Sequence, residues 1–144
     1  MNNKKAFTLI EVMIVLMILG IIAGFAIVGF NKATYRQEAK QMKLEFTMIA
    51  AANKVYQAKH GKFWIPSTSA TKPGWDFETT DIKAINAGLG INLQAKNTVH
   101  RYLINASGTS FGIESEYTDP RTGVQNKIVQ AFTATTPVTS PLDN

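Results

Sequence analysis

The sequence predicts an α+β protein: one long N-terminal α-helix whose outer half packs on a small antiparallel sheet of about three strands. Three observations carry this. From Phe7 to His60 the chain holds no proline, and outside its apolar part nothing ends a helix before Gly61, a natural cap. The stretch Val12 to Phe30 is apolar throughout, about the twenty residues that cross a bilayer as a helix. The last third carries three runs of β-forming residues separated by turn sequences.

Composition narrows the function classes. The chain has 144 residues, enough for one modest domain once the apolar first thirty are set aside. Its net charge of +5 is spread out, with no block of like charges, so a nucleic acid is not indicated as the main partner. There is no cysteine, which excludes disulfides and thiolate metal sites.

Taken in order, residues 1–6 read as a leader, with Asn2, Asn3, Lys4 and Lys5 as its polar and basic head. Residues 7–30 read as a transmembrane helix carrying one acid, Glu11, which costs a few kcal/mol inside a membrane even on lenient scales. An ordinary anchor leaves that acid unexplained. A cleaved signal peptide, cut near Ala23, Gly24 or Ala26, would need a shorter apolar run.

Lys5-Ala6-Phe7-Thr8-Leu9-Ile10-Glu11-Val12 and its apolar continuation resemble the N-terminal signature of type IV pilins and of the pseudopilins of type II secretion. The resemblance covers residues 4 to about 30. It implies a pilin-like fold and cleavage by prepilin peptidase between Ala6 and Phe7. It further implies methylation of the Phe7 amine and retention of the apolar helix as an assembly interface. Ala6 stands where the family usually has glycine, and Val28 where many type IV pilins have proline. The disulfide loop usual near the C-terminus of pilins cannot form here.

In a helical array each subunit repeats one heterologous contact. The Phe7 amine, a charge in an apolar bundle, needs a counter-charge, and Glu11 of a neighbouring subunit supplies it and sets the register. The plainer alternative is that Glu11 only favours its own helix dipole. Gly20 and Gly24, spaced for close helix approach, join the expected assembly residues. With Gly29 they also weaken the helix, by about 1 kcal/mol each, which leaves two readings: partial melting between Gly20 and Gly29 in an assembled filament, or glycine simply tolerated in a membrane helix.

Residues 31–60 form the amphipathic outer half. Tyr35, Ala39, Met42, Phe46, Ile49 and Tyr56 make one stripe at helical spacing; Leu44, Met48, Ala51 and Val55 make a second, nearly opposite. The first is expected to face the chain's own sheet and the second, neighbouring subunits. Arg36, Lys40, Lys43 and Lys54 lie on one flank, Glu38 and Glu45 on the other. Neither Glu has a basic residue three or four positions on. The basic flank of one subunit (Arg36, Lys43) is therefore expected to meet the acidic flank (Glu38, Glu45) of the next.

Residues 61–97 read as a connecting loop with a short helix, capped by Thr80-Asp81, running through Ala87 and stopped by Gly88 and Gly90. Trp64 and Trp75 are expected to pin this loop to helix and sheet. The sheet region, 98–134, holds the runs Val99 to Asn105, Thr109 to Tyr117 and Lys127 to Ala134. Residues 135–144, with Pro137 and Pro141, read as a flexible tail.

Catalytic motifs are not found. His60 and His100 lack a third imidazole, and the sequence has no phosphate-binding loop, nucleophile elbow or zinc signature. Glu114 with Glu116, or Asp76 with Glu78 and Asp81, could offer oxygens to calcium, but a solvated acidic face explains both sets and no cofactor is expected.

The expectation is a non-enzymatic filament subunit: an inner-membrane precursor with one span, then part of a surface or periplasmic filament. Its partners would be copies of itself, prepilin peptidase, pilus or secretion assembly machinery and, before assembly, the membrane. A type II pseudopilin is the near alternative; a non-polymerising anchored binding protein is the distant one.

Overall fold

The computed structural model describes residues 8–94, 97–119 and 122–136, without the side chains of 26–29, 31 and 32. The expected leader with Ala6 and Phe7, and most of the expected tail, lie outside the described residues. Helix α1 spans Leu9–His60, β1 Phe77–Thr79, α2 Ile82–Leu89, β2 Thr98–Ile104, β3 Ser110–Thr118 and β4 Gln125–Thr133. The chain divides into two units, Met1–Arg36 and Gln37–Asn144.

In the first unit the side chains of Leu9 to Phe25 are exposed on all sides, as a helix without a partner must leave them. A Cβ built on Gly20 or Gly24 would meet nothing within 4 Å. The helix is unbroken from residue 20 to 29 in this single chain; the expected partial melting concerns an assembled filament.

The second unit is a four-stranded antiparallel sheet in the order β1-β2-β3-β4, with α1 and α2 packed on one face. The sequence predicts about three strands. The fourth, β1, is a three-residue strand inside the region read as a connecting loop, where Phe77, Glu78 and Thr79 pair with Ile104, Leu103 and Tyr102. Three residues are too few to show an alternation.

Hydrophobic alternation fixes which face is buried. Tyr102 and Ile104 on β2, Phe111 and Ile113 on β3 and Phe132 on β4 point inward. They meet Phe46, Ile49 and Ala50 from α1, Phe63 from the loop after it and Ile85 from α2. Phe111 is central: its ring centroid lies 4.9 Å from Phe132, 4.6 Å from Phe63 and 5.8 Å from Tyr102.

Local chemistry sets the ends of these elements. Asp81 accepts from the Lys83 amide to cap α2, and Gly90, at φ +66°, closes it. The helix therefore continues through Leu89, two residues past the expected end at Ala87. Gly88 keeps helical backbone, since the left-handed cap falls at Gly90, and its missing side chain serves packing: a Cβ there would lie 2.1 Å from the Trp64 indole. Trp75 covers Gly112 of β3 in the same way, at 2.9 Å from a Cβ built there. Each tryptophan thus pins the loop by lying on a glycine.

Gly88→Ala should therefore destabilise the folded unit by about 2 kcal/mol, the cost of forcing a ring out of a packed position. Urea denaturation checks this.

Candidate functional site

The start of α1 is built by a reciprocal cap. The Glu11 carboxylate accepts from the Thr8 amide at 2.8 Å and the Thr8 hydroxyl at 2.9 Å, while the Glu11 amide donates back to that hydroxyl at 3.3 Å. This is a capping box, Thr-x-x-Glu, satisfying amides that a helix start leaves orphaned. The spacing of Thr8 and Glu11, Thr-x-x-Glu, is the sequence signal for it. Glu11 in the lone chain thus serves its own helix, and the group is solvent-exposed and free to exchange partners.

Further along α1 the buried face carries three polar side chains, Glu38, Glu45 and Asn53, spaced about two turns apart. Each is met from the sheet. The Tyr117 hydroxyl donates to Glu38. His100 sits between Glu45 and Ser115, with Nε2 2.9 Å from the Glu45 carboxylate and Nδ1 2.6 Å from the Ser115 hydroxyl. Gln41 donates to the other Glu45 oxygen at 3.1 Å. Asn53 donates to the Tyr102 hydroxyl at 2.6 Å and accepts from the Trp64 amide at 3.0 Å, and Tyr102 donates to the Trp64 carbonyl at 2.7 Å. Burial raises the Tyr102 phenol well above its ordinary range, keeping it a donor.

A neutral imidazole satisfies both neighbours of His100: Nε2–H donates to Glu45 and Nδ1 accepts from Ser115. Burial outweighs the adjacent carboxylate and holds the imidazole below its usual 6.5. Ser115 and His100 are wholly buried, so this Ser-His-Glu set offers no nucleophile to a substrate.

These contacts revise the expected acidic flank. Glu45 is only 6 % exposed and Glu38 half-buried; both turn to their own sheet rather than outward to a neighbour. They border a polar cleft of about 230 Å³ with Gln41, Gln94 and Thr98. The physical reason is their place on the same side of α1 as the core stripe, where a carboxylate must find donors within the fold. On the basic side Arg36 is exposed and Lys43 half-buried, with contacts of its own. Lys54 donates to the carbonyls of Thr133 at 2.8 Å, Ala134 at 3.0 Å and Thr136. The second stripe, Leu44, Met48, Ala51 and Val55, is exposed along its length.

Four of the carboxylates weighed for calcium, Glu114, Glu78, Asp76 and Asp81, have partners within the fold. Glu114 has Lys72, Arg101 and Lys127 around it, and Arg101 also reaches Glu78 at 3.2 Å. Asp76 accepts from the Ala106 amide, and Asp81 caps α2. Among the described residues no three His, Cys, Asp or Glu gather to hold a metal ion.

Three outcomes follow from the His100 site. The unfolded chain, with its imidazole near 6.5, takes up a proton before the folded one. Stability is therefore full above about pH 6.5 and falls as the pH drops below it, and His100→Gln should flatten that fall in urea titrations between about pH 7 and 5. Glu45→Ala should cost about 2 kcal/mol by leaving a buried donor unpaired. Glu45→Lys should destabilise the lone chain without rescue by Arg36→Glu.

Residues 1–27 match the prokaryotic N-terminal methylation motif. No curated protein and no solved structure matches the chain. A helix followed by a four-stranded antiparallel sheet fits the α+β pilin-like architecture. The Ala6-Phe7 junction expected to be cut, the acid four residues on and most of the apolar run from Val12 fall within the matched segment. The chain thus carries the processing signature of type IV pilins and pseudopilins.

Proposed function

We propose that the chain is a structural subunit of a type IV pilus or pilus-like filament. Prepilin peptidase cuts it between Ala6 and Phe7, Phe7 is N-methylated, and the subunits polymerise through the N-terminal helix. The motif at residues 1–27 carries this reading. Two features support it. Leu9 to Phe25 present large apolar side chains to solvent in the single chain, among them Leu9 at 79 % and Phe25 at 78 % exposure, and such surface needs a partner. Leu44, Met48 and Val55, exposed on α1 of the second unit, offer a further apolar face.

The precursor is held in the inner membrane before it enters a surface or periplasmic filament serving adhesion, motility, DNA uptake or secretion. Among the described residues no helix is long and apolar enough to cross a membrane. The apolar sequence from Val12 runs to Phe30.

Glu11 acts twice in this scheme. In the lone chain it caps α1 with Thr8; on assembly it pairs with the Phe7 amine of the adjoining subunit. Gly20 and Gly24 let helices approach closely, and Arg36 and Lys43 present basic groups to a neighbour.

Mass spectrometry of the mature chain should find an N-methylated Phe7 as the first residue. An intact Met1, or a start after Ala26, would overturn the reading. Glu11→Gln should lower filament yield at least about tenfold, equivalent to about 1.4 kcal/mol per contact. Thr8→Val, which removes the hydroxyl bonds of the cap and keeps the backbone amide bond to Glu11, should leave most filaments intact.

A further inference from the structure

Strand β4 presents a long edge with no neighbouring strand among the described residues. It pairs with β3 alone, over nine residues from Gln125 to Thr133. The other edge of the sheet is protected: β1 is three residues long, Ser69 bridges Phe77, and the Glu78 amide donates to the Thr68 carbonyl at 2.9 Å. Edges of natural sheets are usually short, charged or covered, and β4 has one lysine, Lys127, and no proline.

The direction of its backbone groups follows from its last residue. The Thr133 amide donates to the Thr136 hydroxyl at 3.0 Å, and the Thr133 carbonyl accepts from the Thr136 amide at 3.3 Å. Both groups therefore point away from β3, and by the alternation of antiparallel pairing so do those of Ala131, Val129 and Lys127. The bond from Thr136 to Thr133 also reverses the chain. Among the described residues no non-glycine residue has positive φ, so this is not a primed hairpin turn; Lys54 of α1 holds it instead, through three of its carbonyls.

We infer that the open edge of β4 is a strand-acceptor site whose occupant is residues 137–144 of the same chain. Eight residues reach about 26 Å when extended, close to the length of β4. Counting back from the Thr133–Thr136 pair sets Val138 opposite Ala131, Ser140 opposite Val129 and Leu142 opposite Lys127 as the pairs that exchange backbone bonds. Pro137 and Pro141 then fall at the alternate positions, whose nitrogens face solvent and where a proline costs no ladder bond. A shift of one residue would put both prolines at bonding positions. In this register they also blunt the new outer edge against pairing with another chain.

Hydrogen exchange on the full chain in detergent tests the assignment, read at the amides of Lys127, Val129 and Ala131. These should exchange about tenfold or more slowly than in a chain ending at Thr136, and than in Val138→Pro and Ser140→Pro. Thr139→Pro, at a solvent-facing position, should leave them protected. Equal exchange in all chains overturns the inference, as does a Thr139→Pro effect as large as that of Val138→Pro. Protection that rises with protein concentration assigns the edge to a second copy and likewise overturns it.

Discussion

The folded unit depends on the polar seam between α1 and the sheet. A helix packed by apolar contacts alone can slide or rotate with modest loss, because Met, Phe and Ile accept many partners. Glu38, Glu45 and Asn53 remove that freedom, since each has a donor or acceptor waiting at one position on β2 or β3. A slip of one residue turns the helix by about 100° and carries it 1.5 Å, leaving a carboxylate buried without donors. The seam holds the helix in register, and the placement of Lys54 beside the end of β4 and the exposure of Leu44 and Met48 follow from it.

The first turn of α1 solves a different problem with the same chemistry. A carboxylate beside a long apolar run is costly unless donors surround it, and Thr8 supplies two, its amide and its hydroxyl, from one residue. The arrangement is local and solvent-accessible, so it can be given up for a stronger partner. In the proposed filament that partner is an ammonium group, whose charge-assisted bond exceeds that of a neutral hydroxyl.

Much of this was legible in the sequence because it rests on periodicity and punctuation. The long helix, its two apolar stripes, the Asp81 cap and the three longer strands follow from spacing and turn residues within a few positions. What escaped depends on pairing across the chain. Glu45 reads as a flank residue when charges are sorted by sign, yet it lies in the sector of Ile49 and Met42; its partner His100 is 55 positions away. β1 escaped because a three-residue strand has no pattern of its own. The Thr8–Glu11 cap is written locally as Thr-x-x-Glu, in a stretch where the same acid also reads as a membrane charge.

The two indoles resting on glycines give the chain a built-in optical reporter. Trp64 lies against Gly88 of α2 and Trp75 against Gly112 of β3, and these are the only tryptophans in the sequence. Both belong to the unit that starts at Gln37. Intrinsic fluorescence therefore follows the helix–sheet unit and is silent about the apolar N-terminal helix. Unfolding of the one can be watched by emission while the other stays in detergent or in a polymer. With one indole on α2 and the other on the opposite face of the sheet, single Trp→Phe replacements separate the signals of the two faces.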